Sequence, residues 1–207
     1  MQNITFEDGF TGVHQATCTA NIPRCWYGGV DGGGAIYIEG GRFKAINSRF
    51  VDNRCYAFGP DLGGGAIRVL AQYQNRPVYI TNDTFTGGRC SNGGALSSIS
   101  VGWEVLNSVF TNNRAVGWGA NPASRGTPGG GSGGAIYLDG TDDNVLIAGS
   151  VMDDDHAREG RARSSMSWTA ATARSPSTSR ICTTTPADSS RHSPASTTTS
   201  TGTTDLR

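Results

Sequence analysis

"GGGAIYI", residues 32–38, returns along the chain as "GGGAIRV" (63–69), "GGALSSI" (93–99) and "SGGAIYL" (132–138). A short motif that comes back at intervals of tens of residues marks a stacked architecture. Working outward, a second element accompanies it: "NITFEDG" (3–9), "NSRFVDN" (47–53), "NDTFTGG" (82–88), "NSVFTNN" (107–113) and, more weakly, "GSVMDDD" (149–155). Aligning Phe6, Phe50, Phe85, Phe110 and Met152 places Asn3, Asn47, Asn82 and Asn107 in one column three residues earlier, which Gly149 breaks. Ahead of these stand alternating apolar pairs, Phe43 and Ala45, Val78 and Ile80, Trp103 and Val105, Val145 and Ile147. Period two over so short a run reads as strand rather than helix.

Each unit therefore offers two short strands separated by Gly, Asn or Asp turns, spaced 25 to 44 residues apart along the Phe/Met column. Units of this size cannot bury an apolar face alone, and stacking them does so. Glycine supplies the positive φ that tight corners need, and Asn tolerates the same geometry. Stacked Asn side chains can also hydrogen-bond to one another along a ladder. The expected fold is all-β: a single-stranded parallel β-helix with one coil per repeat. Phe6, Phe50, Phe85 and Phe110, with Asn47, Asn82 and Asn107, are its expected structural ladders.

Gly-Gly-Ala-Ile alternating with Phe-x-x-Asn resembles the repeat of chlamydial polymorphic outer-membrane proteins and similar right-handed parallel β-helix repeat proteins. Phe50 to Asn53 and Phe110 to Asn113 match the second motif fully, whereas Phe85 is followed by Gly88 and Phe6 by Gly9. The resemblance covers residues 1 to about 160. It implies a right-handed coil and an exported protein, extracellular or on the outer membrane or cell surface, often an adhesin-like passenger.

The 17 basic and 17 acidic side chains cancel, so no net field draws the chain to nucleic acid or an anionic membrane. Sixteen of the basic residues are arginine, a bias read here as GC-rich coding. No run approaches the roughly 18 apolar residues of a membrane-spanning helix, and "QNITFEDGF" after Met1 has no secretory-signal character. The chain is expected to begin partway through a repeat.

Cys55 and Cys90 both lie five residues after a column Phe. Column mates in adjacent coils sit about 4.8 Å apart, inside the Cα separation a disulfide accepts, so a bridge is expected. Cys18 and Cys25 bracket "TANIPR" and could pair locally. Two pairs suit an oxidising compartment. The competing reading makes Cys55 and Cys90 small buried hydrophobes, like Ala115 and Ala157 in their column.

Residues 161–207 abandon the repeat: 23 are Ser or Thr, and one is Gly. The segment is expected to be disordered, either a Ser/Thr/Pro-rich linker or a reading frame slipped by one base. In the slipped frame the codons of Arg161 to Ser167 permit Gly-Ala-Ile-Phe-Tyr-Val, the repeat that is due there.

Chemistry concentrates in "MDDDHARE" (152–159), where Asp153 and Asp155 are weak candidates for Ca²⁺. Against that, Asp155 falls in the turn column of Asn53 and Asn113, and successive strand residues point to opposite faces. "GGGSGG" (129–134) lacks the Lys-Ser/Thr of a phosphate loop. The long excursion "AVGWGANPASRGTPGGGSGG" (115–134) carries Trp118 and Arg125, which with Trp26 and Tyr27 suit contact with cell-surface glycans or proteins. The expected function is a non-enzymatic scaffold or adhesin-like surface with no cofactor. The alternatives are a polysaccharide lyase or glycoside hydrolase on the same solenoid, which needs converging carboxylates, and an inactive fragment.

Overall fold

A computed structural model describes residues 1–12, 32–120, 125–139, 141–159, 162–167 and 171–176, with side chains except at 141–143 and in the last two segments. The described residues are all-β and contain no helix. The chain runs in successive passes. The first holds β1 (Thr5–Glu7) and β2 (Phe10–Thr11), and the second β3 (Ile36–Glu39), β4 (Lys44–Ile46), β5 (Arg49–Val51) and β6 (Arg54–Cys55). The third holds β7 (Ile67–Leu70), β8 (Val78–Thr81), β9 (Thr84–Thr86) and β10 (Arg89–Cys90). The fourth holds β11 (Leu96–Ile99), β12 (Trp103–Leu106), β13 (Val109–Thr111) and β14 (Arg114–Ala115). The fifth holds β15 (Ile136–Asp139), β16 (Thr141–Ala148) and β17 (Val151–Ala157), and β18 (Ala162–Ser167) and β19 (Ala171–Pro176) follow.

The second to fifth passes each contribute to the same three sheets, the first adds β1 and β2 to one of them, and equivalent strands of successive passes pair in parallel. The expected two strands per unit are in fact four in each of the second to fourth passes. The reason lies in two left-handed corners that the column alignment did not separate. Asn3, Asn47, Asn82 and Asn107 have φ of 48° to 56°, and Gly149 takes the same position at 60°. Five residues on, Asp8, Asp52, Asn112 and Asp154 have φ of 50° to 57°, and Gly87 69°. These are the residue types that tolerate this region at least cost. The glycine that breaks the Asn column thus preserves its backbone geometry.

The Gly-Gly pair has two separate jobs, seen at Gly64 and Gly65. Gly64 has φ 73°, a left-handed corner. Gly65 does not, but a Cβ there would lie 2.1 Å from the Gly94 carbonyl oxygen and 2.8 Å from the Arg89 nitrogen. Only a hydrogen fits where the sheet of β3, β7, β11 and β15 meets the short strands β6, β10 and β14.

The core forms between the sheets from one residue type per column. The Phe6, Phe50, Phe85 and Phe110 rings stack with centroids 5.3, 4.6 and 4.8 Å apart and nearly parallel planes, and Met152 continues the column. Ile67, Leu96 and Ile136, with Ile80, Val105 and Ile147, fill the rest and are buried. The sheet of β7, β11 and β15 is buried on its outer face too, where Arg68, Ser97 and Tyr137 stack in register. Asp61 and Leu62 belong to a loop that folds back over this face: the Arg68 guanidinium donates to the Asp61 carbonyl, and Asn92 Nδ2 to the Pro60 and Leu62 carbonyls.

Two stretches of the segment expected to be unstructured, β18 and β19, run antiparallel to β17 and β16. The rest of 161–207 lies outside the described residues. No helix among the described residues is long and apolar enough to cross a membrane.

Candidate functional site

Two ladders of side-chain hydrogen bonds tie successive passes together, the second interrupted at Gly88, and neither lies in the Asn47, Asn82, Asn107 column, which is exposed. The first runs one residue later. Ser48 Oγ accepts from the Ile4 N–H, Asp83 Oδ1 from Ser48 N–H at 2.6 Å, Ser108 Oγ from Asp83 N–H and Ser150 Oγ from Ser108 N–H. Asp83 Oδ2 accepts from the Thr81 N–H as well. Burial pushes the Asp83 carboxyl up to about 6, and the two N–H donors pull against that rise.

The second ladder uses the last residue of Phe-x-x-Asn. Asn53 Oδ1 accepts from Gly9 N–H at 3.0 Å, while its Nδ2 donates to the Phe6 carbonyl at 3.0 Å. Asn113 repeats this with Gly88 N–H at 2.9 Å and the Phe85 carbonyl at 3.1 Å. Asp155 occupies the same position in the fifth pass and is 1% exposed. Its Oδ1 accepts from the Asn113 N–H and Nδ2, both at 2.8 Å. Its Oδ2 has no partner, because a carboxylate has no hydrogen to donate where Asn53 and Asn113 donate theirs. Burial pushes the Asp155 carboxyl up to about 7, opposed by the Asn113 donors, with Asp153 and Asp154 adding to the rise.

The acidic stretch therefore does not converge. Asp153 is exposed on the outer face of β17, Asp154 sits at the left-handed corner with Oδ1 2.7 Å from His156 Nε2, and Asp155 is enclosed. Among the described residues no three His, Cys, Asp or Glu side chains gather closely enough to hold a metal ion. Asp153 and Asp155, which a plain pleat would place on one face, are turned apart by the left-handed corner at Asp154 between them.

Cys55 and Cys90 are joined as a disulfide, their Cα atoms 4.6 Å apart. Cys90 pairs in register with Ala115 and Ala115 with Ala157, so the sulfurs occupy a column otherwise filled by alanine. Cys18, Cys25, Trp26 and Tyr27 lie outside the described residues.

Within the 115–134 excursion Ala120 and Gly130 exchange antiparallel backbone hydrogen bonds at 3.0 and 2.8 Å, and Arg125 is exposed. Glu159 ties it down by accepting from the Gly119 N–H at 3.0 Å. Trp118 is 37% exposed and lies under the Arg158 guanidinium, 6.0 Å from the ring centroid. The structure thus pairs Trp118 with Arg158.

A further set escaped the sequence reading. Arg54, Arg89, Arg114 and His156 pair in register along β6, β10, β14 and β17. The three arginines are exposed. Arg114 donates from Nε and Nη2 to Asn112 Oδ1 at 3.2 and 2.9 Å. Among the described residues the Arg54 and Arg89 side chains have no hydrogen-bond or ion-pair partner. The signal was available: each stands four residues after its column Phe. Reading arginine as a coding bias concealed it.

Comparison with protein-family models, curated proteins and solved structures finds no match to this chain.

Proposed function

We propose that this chain is a segment of a right-handed, single-stranded parallel β-helix belonging to an exported protein, and that it serves as a non-enzymatic scaffold presenting an adhesin-like surface. The observation that carries the reading is the Cys55–Cys90 bridge between neighbouring passes. Disulfides persist in oxidising compartments such as the cell exterior. The resemblance of Gly-Gly-Ala-Ile and Phe-x-x-Asn to surface-protein repeats points the same way. The polar side chains of the repeat also support a scaffold: Asn53, Asp83, Asn113 and Asp155 are engaged in holding one pass to the next.

The test is antibody labelling of intact source cells with serum raised against this chain. The expected result is labelling before permeabilisation, or in the culture medium. Labelling that requires permeabilisation overturns the reading.

A further inference from the structure

The Arg54, Arg89 and Arg114 row is unfavourable by itself. Like charges directly opposite each other on neighbouring strands repel, and here three follow in succession at about 4.8 Å. The neighbouring corner column is where compensation would be expected. It holds Asp8, Asp52 and Asp154 in the outer passes but Gly87 and Asn112 beside Arg89 and Arg114. Acid is absent from the corner where the row most needs it. Asp52 stands two residues before Arg54 and forms no ion pair with it among the described residues.

One flank of the row carries aromatic rings. Backbone hydrogen bonds Ser91 N–H to Tyr56 carbonyl, Val116 N–H to Cys90 carbonyl and Arg158 N–H to Ala115 carbonyl continue the stack two residues beyond the arginines. Tyr56 meets the exposed Phe58 edge-on, with centroids 5.7 Å apart, and Trp118 lies under Arg158.

We propose that this row binds an acidic polysaccharide, its carboxylate or sulfate groups lying along the arginines. The Arg54 and Arg89 guanidinium groups each offer a planar fork that takes an oxyanion through two hydrogen bonds, and Arg114, held by Asn112 through Nε and Nη2, adds its charge and its remaining Nη1 donors. The row spans about 10 Å, the scale of a few successive sugars, and the adjacent aromatic groups suit the apolar faces of sugar rings. A nucleic acid fits less well, because residues 1–160 carry 15 acidic against 11 basic groups and offer no long-range positive field. The attraction is confined to the row. This deepens the surface-scaffold reading and rests on it for access to such a ligand.

The experiment uses the full chain with its disulfide intact, immobilised, against polygalacturonate, heparin, neutral dextran and duplex DNA. Saturable binding of either acidic polysaccharide is expected, weakening as salt rises from about 50 to about 300 mM. The triple variant Arg54→Gln, Arg89→Gln, Arg114→Gln should lose about tenfold or more in affinity. The control Arg42→Gln, Arg49→Gln, Arg76→Gln removes the same charge from exposed positions off the row and should lose less than about threefold. Both variants should keep the far-UV circular dichroism of the parent. Binding of neither polysaccharide, equal losses in the two triples, or DNA bound as tightly as the polysaccharides overturns the proposal. Surface labelling without polysaccharide binding leaves the scaffold reading standing and removes this one.

Discussion

Asp155→Asn should make the chain more stable at neutral pH, although it removes a charge and adds no apolar surface. In the wild type the folded-state carboxyl titrates at about 7, against 3.8 ordinarily. The folded chain therefore keeps a proton across a window in which the unfolded chain has already released it. Stability from this group is intact below about pH 4 and is lost as the pH climbs to 7. At about 1.4 kcal/mol per pH unit, the loss reaches about 4 kcal/mol. An amide does not titrate, so the variant escapes it.

The amide also restores the pattern of the ladder. Its Oδ1 can keep the two Asn113 donors, and its Nδ2 can donate to the Phe110 carbonyl as Asn53 and Asn113 donate to those of Phe6 and Phe85. That adds about 1 kcal/mol. The expected advantage is about 3–5 kcal/mol at pH 8, shrinking towards zero near pH 4, where the protonated carboxyl has its own hydrogen to donate. Hydrogen exchange of the Asn113 amide, which donates to Asp155, reads this locally across pH 4–8. Protection should rise about a hundredfold or more at pH 8. Any dependence that survives in the variant should end near pH 6, where Asp83 titrates. Parallel pH profiles for the two proteins, or a variant less protected at pH 8, would refute the account of the orphaned Oδ2.

Phe85→Ala should cost about 3–5 kcal/mol in urea denaturation, because its ring is fully buried and stacked on both sides. Phe6→Ala should cost well under half of that, since Phe6 is half-buried with one stacking neighbour; equal costs would contradict the stack. Reducing the Cys55–Cys90 bridge, which closes a separation of 35 residues, should lower unfolding free energy by about 4 kcal/mol on the chain-entropy account. Cys55→Ser with Cys90→Ser should give the same midpoint with or without reductant, and an unmoved midpoint on reducing the parent would show that the bridge contributes nothing.

Much of this was legible in the letters because every pass solves the same local problem. A position that needs a left-handed backbone accepts Asn, Asp or Gly and little else, so Asn47, Asn82, Asn107 and Gly149 align. A position facing the core between stacked strands takes a large apolar group, so Phe50, Phe85, Phe110 and Met152 align, and a disulfide could be placed from Cys55 and Cys90 alone. The second corner was not separated from the first, and two strands per unit were expected where the second to fourth passes have four. Asp, Asn and Gly at positions 52, 112 and 87 read only as generic turn residues.

What the sequence determined by itself was the column: which residues stand in equivalent places, and which of them must be apolar, small or left-handed. That follows from backbone sterics and strand periodicity, which act over a few residues. What the tertiary structure decided was the environment of each column member. Arg68 is enclosed because a loop from the preceding pass folds over it. Asp155 Oδ2 lacks a partner because its enclosed surroundings bring donors to Oδ1 alone, and Arg89 meets no acid at its neighbouring corner, which holds Gly87. Burial, desolvation and pairing depend on atoms distant in the chain and close in space, and only the assembled stack brings them together.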